Sequence, residues 1–416
     1  MMDLAIIGGG ASGLFAAITA LETGKNISVT IFEKHSRVGK KLLSTGNGRC
    51  NITNENACKT VELNGKEVPK FYYGNNSEFA TFALKSFTNY DLINYFENNG
   101  LILRKENDKY YPFSESAGTV LDFLRLKCEM LGVKIITNTT VESVINKNNK
   151  FLINGESFDK VIIACGGKSS PHLCSDGDGY KLLKSFGHKL TSLYPAITQI
   201  KTETEFVKQL KGVKADADCK IFVNNKLIRS QFGQVLFADY GLSGPPIFQL
   251  SRIASQNYEK DCRITLDFVK DKTNEELEQI NLSCIENPFT YPLTTENLLT
   301  LLFNKRLGQV IIKYCGFKLN TDVYSLKKSD IKNIAFAIKN FTLKVKGVNG
   351  FQIAQVTAGG IETKDFDDKT MQSKLINGLY ATGEVLDIDG DCGGFNLQWA
   401  FSSAFVAAKS VAGDKL

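Results

Sequence analysis

The sequence predicts an α/β protein in which one domain is drawn from both ends of the chain and other domains are inserted between. Three observations carry this. The first thirty-odd residues run strand, glycine turn, helix, strand. From about Leu190 the pattern changes to antiparallel strands and then to helices. From Gln355 to Leu416 the strand–glycine–helix order returns.

Each element has a local reason. Leu4-Ala5-Ile6-Ile7 is a short unbroken apolar run, as expected of a parallel strand buried on both faces. Leu14, Ala17, Ile18 and Leu21 recur at helical spacing from Ala11 to Leu21, with Gly24 placed to close the helix. Val29–Phe32 reads as the second strand of a βαβ unit. Helices follow at Glu78–Phe87, Tyr90–Asn98 and Thr119–Leu131, interrupted by a hairpin at Tyr110-Tyr111-Pro112. Strands are expected at Val133–Thr137, Val141–Asn146, Lys150–Ile153 and Val161–Ala164, with a turn at Asn148-Asn149. Lys220–Val223, Gln234–Phe237 and Arg263–Val269 read as strands of a separate antiparallel unit. Glu275–Cys284, Leu298–Tyr314 and Ile331–Asn340 read as helices. The expected division is residues 1–190, 191–272 with 341–354, 273–340, and 355–416.

Composition excludes several classes. A 43% hydrophobic and 23% charged chain of 416 residues is neither disordered nor confined to one small core. No run reaches the ~18 apolar residues of a membrane span. Met1-Met2-Asp3 supplies no basic segment, so no secretory signal is expected. Ten scattered cysteines without a C-x-x-C pair fit reduced thiols and a cytoplasmic location. The net charge of +6 is too dilute to predict a nucleic-acid partner. His35, His172 and His188 lie too far apart in sequence to form a local metal cluster or triad.

Gly8-Gly9-Gly10-Ala11-Ser12-Gly13 matches G-x-G-x-x-G between a strand and a helix. The first glycine makes the tight turn, the second admits a pyrophosphate to the backbone, and the third lets helix and strand pack closely. Phosphates then meet the free N–H groups of the helix N-terminus. Glu33 ends the second strand twenty residues after Gly13, the offset at which a carboxylate takes ribose hydroxyls and repels a 2′-phosphate. This is a Rossmann-like dinucleotide site.

Two further segments favour FAD over NAD. Residues 39–51 form a basic, Gly/Asn-rich stretch where a plain NAD domain continues as helix. It suits contacts to a longer ligand, cations near the pyrophosphate and amides along a flavin edge. The other is Gly383–Trp399, which places Gly393-Gly394 at the start of a helix from about Asn396 to Val411. Its free amides near Phe395 to Leu397 suit the negative charge of a reduced flavin. Asp387, Asp389 and Asp391 look like the start of a calcium loop, but the twelfth position is Gln398 rather than an acid.

Together these segments resemble the BaiN/YhiN-like family of bacterial FAD-dependent oxidoreductases, of the glutathione-reductase type with two dinucleotide-binding domains. The signatures are Gly8–Gly13 with Glu33, Lys41–Asn51, and Gly383-Glu384 with Gly393–Ala400. The resemblance implies a Rossmann-like FAD domain from both chain ends, a β-barrel-like insert and a small helical insert. It implies that Gly8, Gly10, Ala11, Ser12, Gly13 and Glu33 hold pyrophosphate and ribose. Lys34, Lys41, Thr45, Gly46, Asn47 and Asn51 then line the rest of the cofactor. Val141, at the start of a strand, touches adenine through its backbone, and Ala164 and Gly166 pass the phosphates. Gly383, Glu384, Gly393, Gly394, Phe395, Asn396, Leu397 and Gln398 flank the flavin. The sequence departs from the pattern at Ala404 and Ala408, where glycines are usual, and at Ala238-Asp239, where many members carry Thr-His.

The expected function is hydride or electron transfer through FAD to or from a small organic substrate, with NAD(P)H or oxygen as candidate partner. Val161–Gly167 carries no second fingerprint, so a nicotinamide donor binds, if at all, without a second Rossmann domain. Cys50, Cys165 and Cys392 read as small packed residues rather than redox thiols. Asp387 and Tyr240 read as solvated loop positions, and no catalytic residue is assigned. The alternative is a redox-sensing regulator. Lys305, Arg306, Lys327, Lys328 and Lys332 in the helical insert face dilution by Glu275, Glu276, Glu278 and Asp330, which favours a solvated cap. A plain NAD dehydrogenase would be colourless.

Overall fold

The computed structural model describes residues 1–173, 175–286 and 294–414. It divides into two compact units, residues 1–194 with 351–416, and residues 195–350.

The first unit is built on a five-stranded parallel sheet. Its core strands are β1 (Met2–Ile7), β2 (Ile27–Phe32), β3 (Lys134–Ile136) and β4 (Lys160–Ile163). A fifth strand, Leu379–Ala381, comes from the far end of the chain, and the sheet order is Leu379–Ala381, β4, β1, β2, β3. Ile6 sits between Ile31 and Ile162, and Ile162 beside Tyr380, all buried. Continuous apolar sequence is therefore explained by cover on both faces. α1 (Ala11–Thr23) and the C-terminal helix, Phe395–Val411, pack against each other. A small antiparallel sheet, Ile145–Lys147, Lys150–Ile153 and Glu156–Phe158, adds Phe151 and Phe158 to the same core, Phe158 meeting Phe32 edge-on. Ala404 and Ala408 of the C-terminal helix are fully buried.

Several elements differ from expectation. Gly24 ends α1 in an extended conformation (φ −105°), not a left-handed one. The basic stretch begins as a short helix, α2 (Lys40–Ser44), because Leu42 is buried in the core. Val141 lies in irregular chain rather than opening a strand. The strand there is only Ile145–Lys147, since the N–H groups of Asn138 and Thr139 instead pair with the His35 and Glu33 carbonyls. Glu78–Phe87 splits into a 3-10 turn, Ser77–Phe79, and a helix, Ala80–Ser86. The Asn148-Asn149 turn is present, with both residues left-handed as a tight hairpin requires.

The second unit is a closed six-stranded barrel. Its strands are β5 (Ile200–Thr202), β6 (Lys214–Val223), β7 (Lys226–Ala238), β8 (Gly241–Ser243), β9 (Cys262–Asp267) and β10 (Phe341–Val348), in the order β5-β8-β7-β6-β9-β10. Inward residues such as Cys219, Ile264 and Leu343 alternate with outward polar ones. Helices Asn274–Glu286, Lys305–Tyr314 and Lys328–Lys339 share one hydrophobic core with the barrel, through Leu277, Ile311 and Ile334. The helix expected at Leu298–Tyr314 is broken. Thr295–Leu298 ends early, and Asn304 caps a second helix by accepting from the Arg306 N–H. Among the described residues, no helix is long and apolar enough to cross a membrane.

Candidate functional site

The glycine turn after β1 is held from beneath. Gly8 has φ 108°, and a Cβ there would lie 2.5 Å from the Ala164 carbonyl oxygen, so the turn rests on the end of β4. A Cβ on Gly13 would lie 2.0 Å from the Gly8 carbonyl oxygen, which fixes how closely α1 approaches the turn. Gly10 differs: nothing lies within 4 Å of its Cβ position. It caps α1 without a side-chain hydrogen bond, and the first turn carries no acid. The α1 N-terminus is therefore an uncapped, open, electropositive end.

Glu33 is buried, and both its oxygens brace backbone. Oε2 accepts the Gly9 N–H at 3.0 Å and Oε1 the His35 N–H at 3.0 Å. Each oxygen retains a lone pair for a ribose hydroxyl. Lys34 pairs with Asp176 and with Asp178 (2.9 Å). Burial works to lower its pKa, but the two aspartates outweigh it and the net shift is upward.

The two chain ends meet at hydrogen-bonding distance. Ser12 Oγ donates to Thr382 Oγ1 at 2.6 Å. Gly383 then turns with φ 73°, its N–H donating to Ser403 Oγ at 2.9 Å and its carbonyl accepting from Trp399 Nε1 at 3.1 Å. Lys41 Nζ reaches Glu384 Oε2 at 2.7 Å and Ser175 Oγ at 3.3 Å, while Glu384 Oε1 accepts the Thr357 N–H at 2.8 Å. Gly166 (φ 71°) lies beside Ser175.

The segment after α2 packs on the C-terminal glycine pair. Thr45 Oγ1 donates to the Leu42 carbonyl at 2.6 Å, and Gly46 and Asn47 are both left-handed. A Cβ on Gly394 would lie 2.5 Å from the Thr53 carbonyl carbon, and Asn54 Nδ2 donates to the Gly393 carbonyl at 3.0 Å. Asn396 braces its own loop, accepting from Gly390 N–H and donating to the Gly390 carbonyl, both at 2.8 Å. Phe395 is buried against Phe71, and its carbonyl accepts from Tyr72 Oη at 3.1 Å. Leu397 is half-buried in the first turn of the C-terminal helix. Gly394 caps that helix with no side-chain hydrogen bond, so a second uncapped N-terminus is present.

Two readings change, those of Gln398 and Asp387. Gln398 is fully buried with its side chain spent: Oε1 accepts from Thr53 Oγ1 at 2.5 Å, and Nε2 donates to the Phe87 carbonyl and to Ser402 Oγ. Both amide donors are spent within the protein, and the side chain ties the structure together. Asp387 is buried rather than solvated and accepts the Asn75 N–H at 3.0 Å. Asp389 and Asp391 are buried as well, and among the described residues no His, Cys, Asp and Glu group is placed to hold a metal. Cys50 is fully buried, and that burial pushes its thiol pKa up to about 12 against a hydrogen bond from Thr45. The supporting residues Thr53, Asn54 and Thr382 carry no sequence signal, because each is defined by a partner more than 300 positions away.

The residues present fit a flavin dinucleotide. The α1 N-terminus is open at Gly10, and Asn51 Oδ1 is buried without a hydrogen-bond partner among the described residues.

A family model described as the HI0933-like protein Rossmann domain matches residues 2–410. The chain belongs to that family. It is an oxidoreductase of the flavoprotein class, as its three signatures lead one to expect. A 3-dehydro-bile acid delta(4,6)-reductase from Clostridium scindens is 35% identical, with 99% of both chains covered. A ribosomal RNA dihydrouridine synthase from Haemophilus influenzae is 30% identical over 98% of this chain and 97% of its own. Another of that name from Escherichia coli is 27% identical over 99% and 98%. Two of these relatives are named for an RNA product, which gives no support to the expectation that nucleic acid is an unlikely partner.

Proposed function

We propose that this chain binds FAD across its two uncapped helix N-termini and reduces a carbon–carbon double bond conjugated to a carbonyl. The observation that carries the binding mode is the Ser12–Thr382 contact, which puts the two glycine turns side by side. On this reading Gly8, Gly10, Ala11, Ser12 and Gly13 take the pyrophosphate, and Glu33 takes the adenosine ribose. Val141, Ala164 and Gly166 border the adenosine and phosphate half. Lys34, Lys41, Thr45, Gly46, Asn47 and Asn51 line the ribityl and flavin half together with Gly383 and Glu384. Gly393, Gly394, Phe395, Asn396 and Leu397 present backbone amides to the flavin. Gln398 supports that turn from behind.

The reaction class is supported by what the relatives' names share. A 3-oxo bile acid with Δ4,6 unsaturation and a uracil ring both carry a double bond conjugated to a carbonyl. Saturating it adds two electrons and two protons. FAD, when bound, supplies the hydride. The protein contributes the fixed dipole of the C-terminal helix, which favours the negative charge of the reduced ring. Burial keeps Cys50 out of that chemistry. NAD(P)H is the proposed source of electrons.

The test is spectroscopic. Purified protein should be yellow and should bleach anaerobically with NADH or NADPH. Colour should return on adding a 3-oxo-Δ4 steroid or a uridine-containing RNA. Colourless protein overturns the cofactor assignment. Bleached protein that neither compound reoxidises overturns the reaction.

A further inference from the structure

The chain's charge is not evenly distributed. Residues 195–350 hold 22 Lys and Arg against 16 Asp and Glu, so the whole net charge of +6 resides in the barrel unit and the other unit balances at 28 of each. Part of that excess is set in register on the outside of the barrel. Along β6, β9 and β10 the outward residues Phe222, Arg263 and Lys344 face each other across successive strands. Arg263 and Lys344 are directly opposed like charges, an arrangement that opposes strand pairing. Lys346 follows two residues on, on the same face and exposed like Lys344. The next row contains Lys220, Thr265 and Thr342, flanked by Ser230 of β7.

Aromatic rings lie among these cations. The Arg263 guanidinium stands 5.7 Å from the centre of the Phe222 ring. Phe232 is 53% exposed on β7, with Lys270 Nζ 3.7 Å from its ring centre. Of the acids on this face, Asp216 of β6 is exposed two residues before Asp218, and the others are committed. Asp267 pairs with Lys339, Asp218 with Lys220, and Glu203 accepts the Lys344 N–H. Glu259 and Asp261 lie at the end of β9. Among the described residues, Lys344 and Lys346 have no carboxylate at ion-pair distance. Opposed cations that cost folding energy, beside the exposed Phe232 ring and the half-buried Phe222 ring, suit a ligand bringing both phosphates and flat bases.

We propose that the outer face of β6, β9 and β10, with Phe232 of β7, binds single-stranded RNA: Arg263, Lys344 and Lys346 take phosphates, and Phe222 and Phe232 stack bases. This deepens the proposed function by assigning RNA as the partner.

The experiment measures binding of a labelled uridine-rich single-stranded RNA oligonucleotide to the full flavin-loaded chain over a series of KCl concentrations. Affinity should fall with salt. The R263E/K344E/K346E variant should lose at least about tenfold in affinity at moderate salt and show a salt slope shallower by about two, close to 0.7 per lost phosphate contact. F222A and F232A should each weaken binding about tenfold or more with the salt slope unchanged. Flavin absorption and reoxidation by a small 3-oxo-Δ4 steroid serve as the separate control. Their loss in wild-type protein would sink the reaction while leaving the RNA surface standing. RNA affinity that ignores salt, or that survives charge reversal with an unaltered slope, overturns the RNA surface. So does preferential binding to anionic lipid vesicles that the same variant abolishes.

Discussion

Thr53 Oγ1 donates to Gln398 Oε1 at 2.5 Å, joining the segment after the basic stretch to the first turn of the C-terminal helix across 345 positions. The other end of the same amide donates to Phe87 and Ser402. Gln398→Ala strands the Thr53 hydroxyl in a dry interior and removes two donors. The expected loss is about 2 kcal/mol, a fall in Tm of roughly 5 °C. Thermal unfolding checks it. A fall in flavin affinity without one in Tm would restore Gln398 as a ligand.

Gly10 and Gly13 separate binding from folding. Gly13→Ala drives a methyl into the Gly8 carbonyl, 2.0 Å away, so the turn must open and the protein should purify colourless. Gly10→Ala meets nothing within 4 Å and should cost less than about 1 kcal/mol of apo-protein stability. It should still weaken FAD binding roughly tenfold, since its methyl occupies the approach of the pyrophosphate. Flavin titration of both apo-proteins is the check.

His188 predicts a pH dependence of stability. It is buried, stacked on Phe366 at 4.5 Å, with Nε2 at 3.0 Å from Ser373 Oγ. Burial lowers its pKa below the usual 6.5, with Asp365 opposing only in part. The unfolded chain therefore takes up the proton first. Stability is complete above pH 6.5 and declines as pH falls through and below that value. The limiting slope is about 1.4 kcal/mol per pH unit for one proton. Urea unfolding across this range should show the decline, and His188→Gln should flatten it.

Cys50 should be chemically silent. With its thiol pKa raised to about 12 by burial, the reactive thiolate is scarce at pH 8. Native protein should resist iodoacetamide at this residue, and Cys50→Ala should keep its flavin reduction rate. Rapid labelling at Cys50 would reopen a dithiol mechanism.

The glycine fingerprint was legible because its constraints are local. Gly8, Gly10, Gly13 and Glu33 act within one βαβ unit, and their spacing states their geometry. Parts of the barrel strands were legible, Lys220–Val223, Gln234–Phe237 and the segment from Arg263, but not the full extent of Lys214–Val223 and Lys226–Ala238, nor Gly241–Ser243 and the helix Pro245–Asn257. Contacts such as Lys41–Glu384 and Thr53–Gln398 were not, since no sequence spacing pairs residues more than 340 positions apart. Gln398 misled because a polar side chain at a helix start reads alike whether it faces a ligand or a buried hydroxyl. Val141 misled because the β-branched residues Val141, Val144 and Ile145 favour a strand by propensity, while the backbone before them pairs with Glu33 and His35 just beyond β2. Asp387 misled because a run of alternating aspartates looks solvated until Asn75 folds over it.

The parallel sheet borrows one strand, Leu379–Ala381, from near the end of the chain. During synthesis β4 emerges from the ribosome more than two hundred residues ahead of its neighbour, and its outer rim stays unpaired for on the order of ten seconds or more. Truncation anywhere before residue 379 leaves that rim permanently bare, a sticky template for other chains. The nascent protein must therefore be sheltered until residues 379–381 have emerged to close that edge.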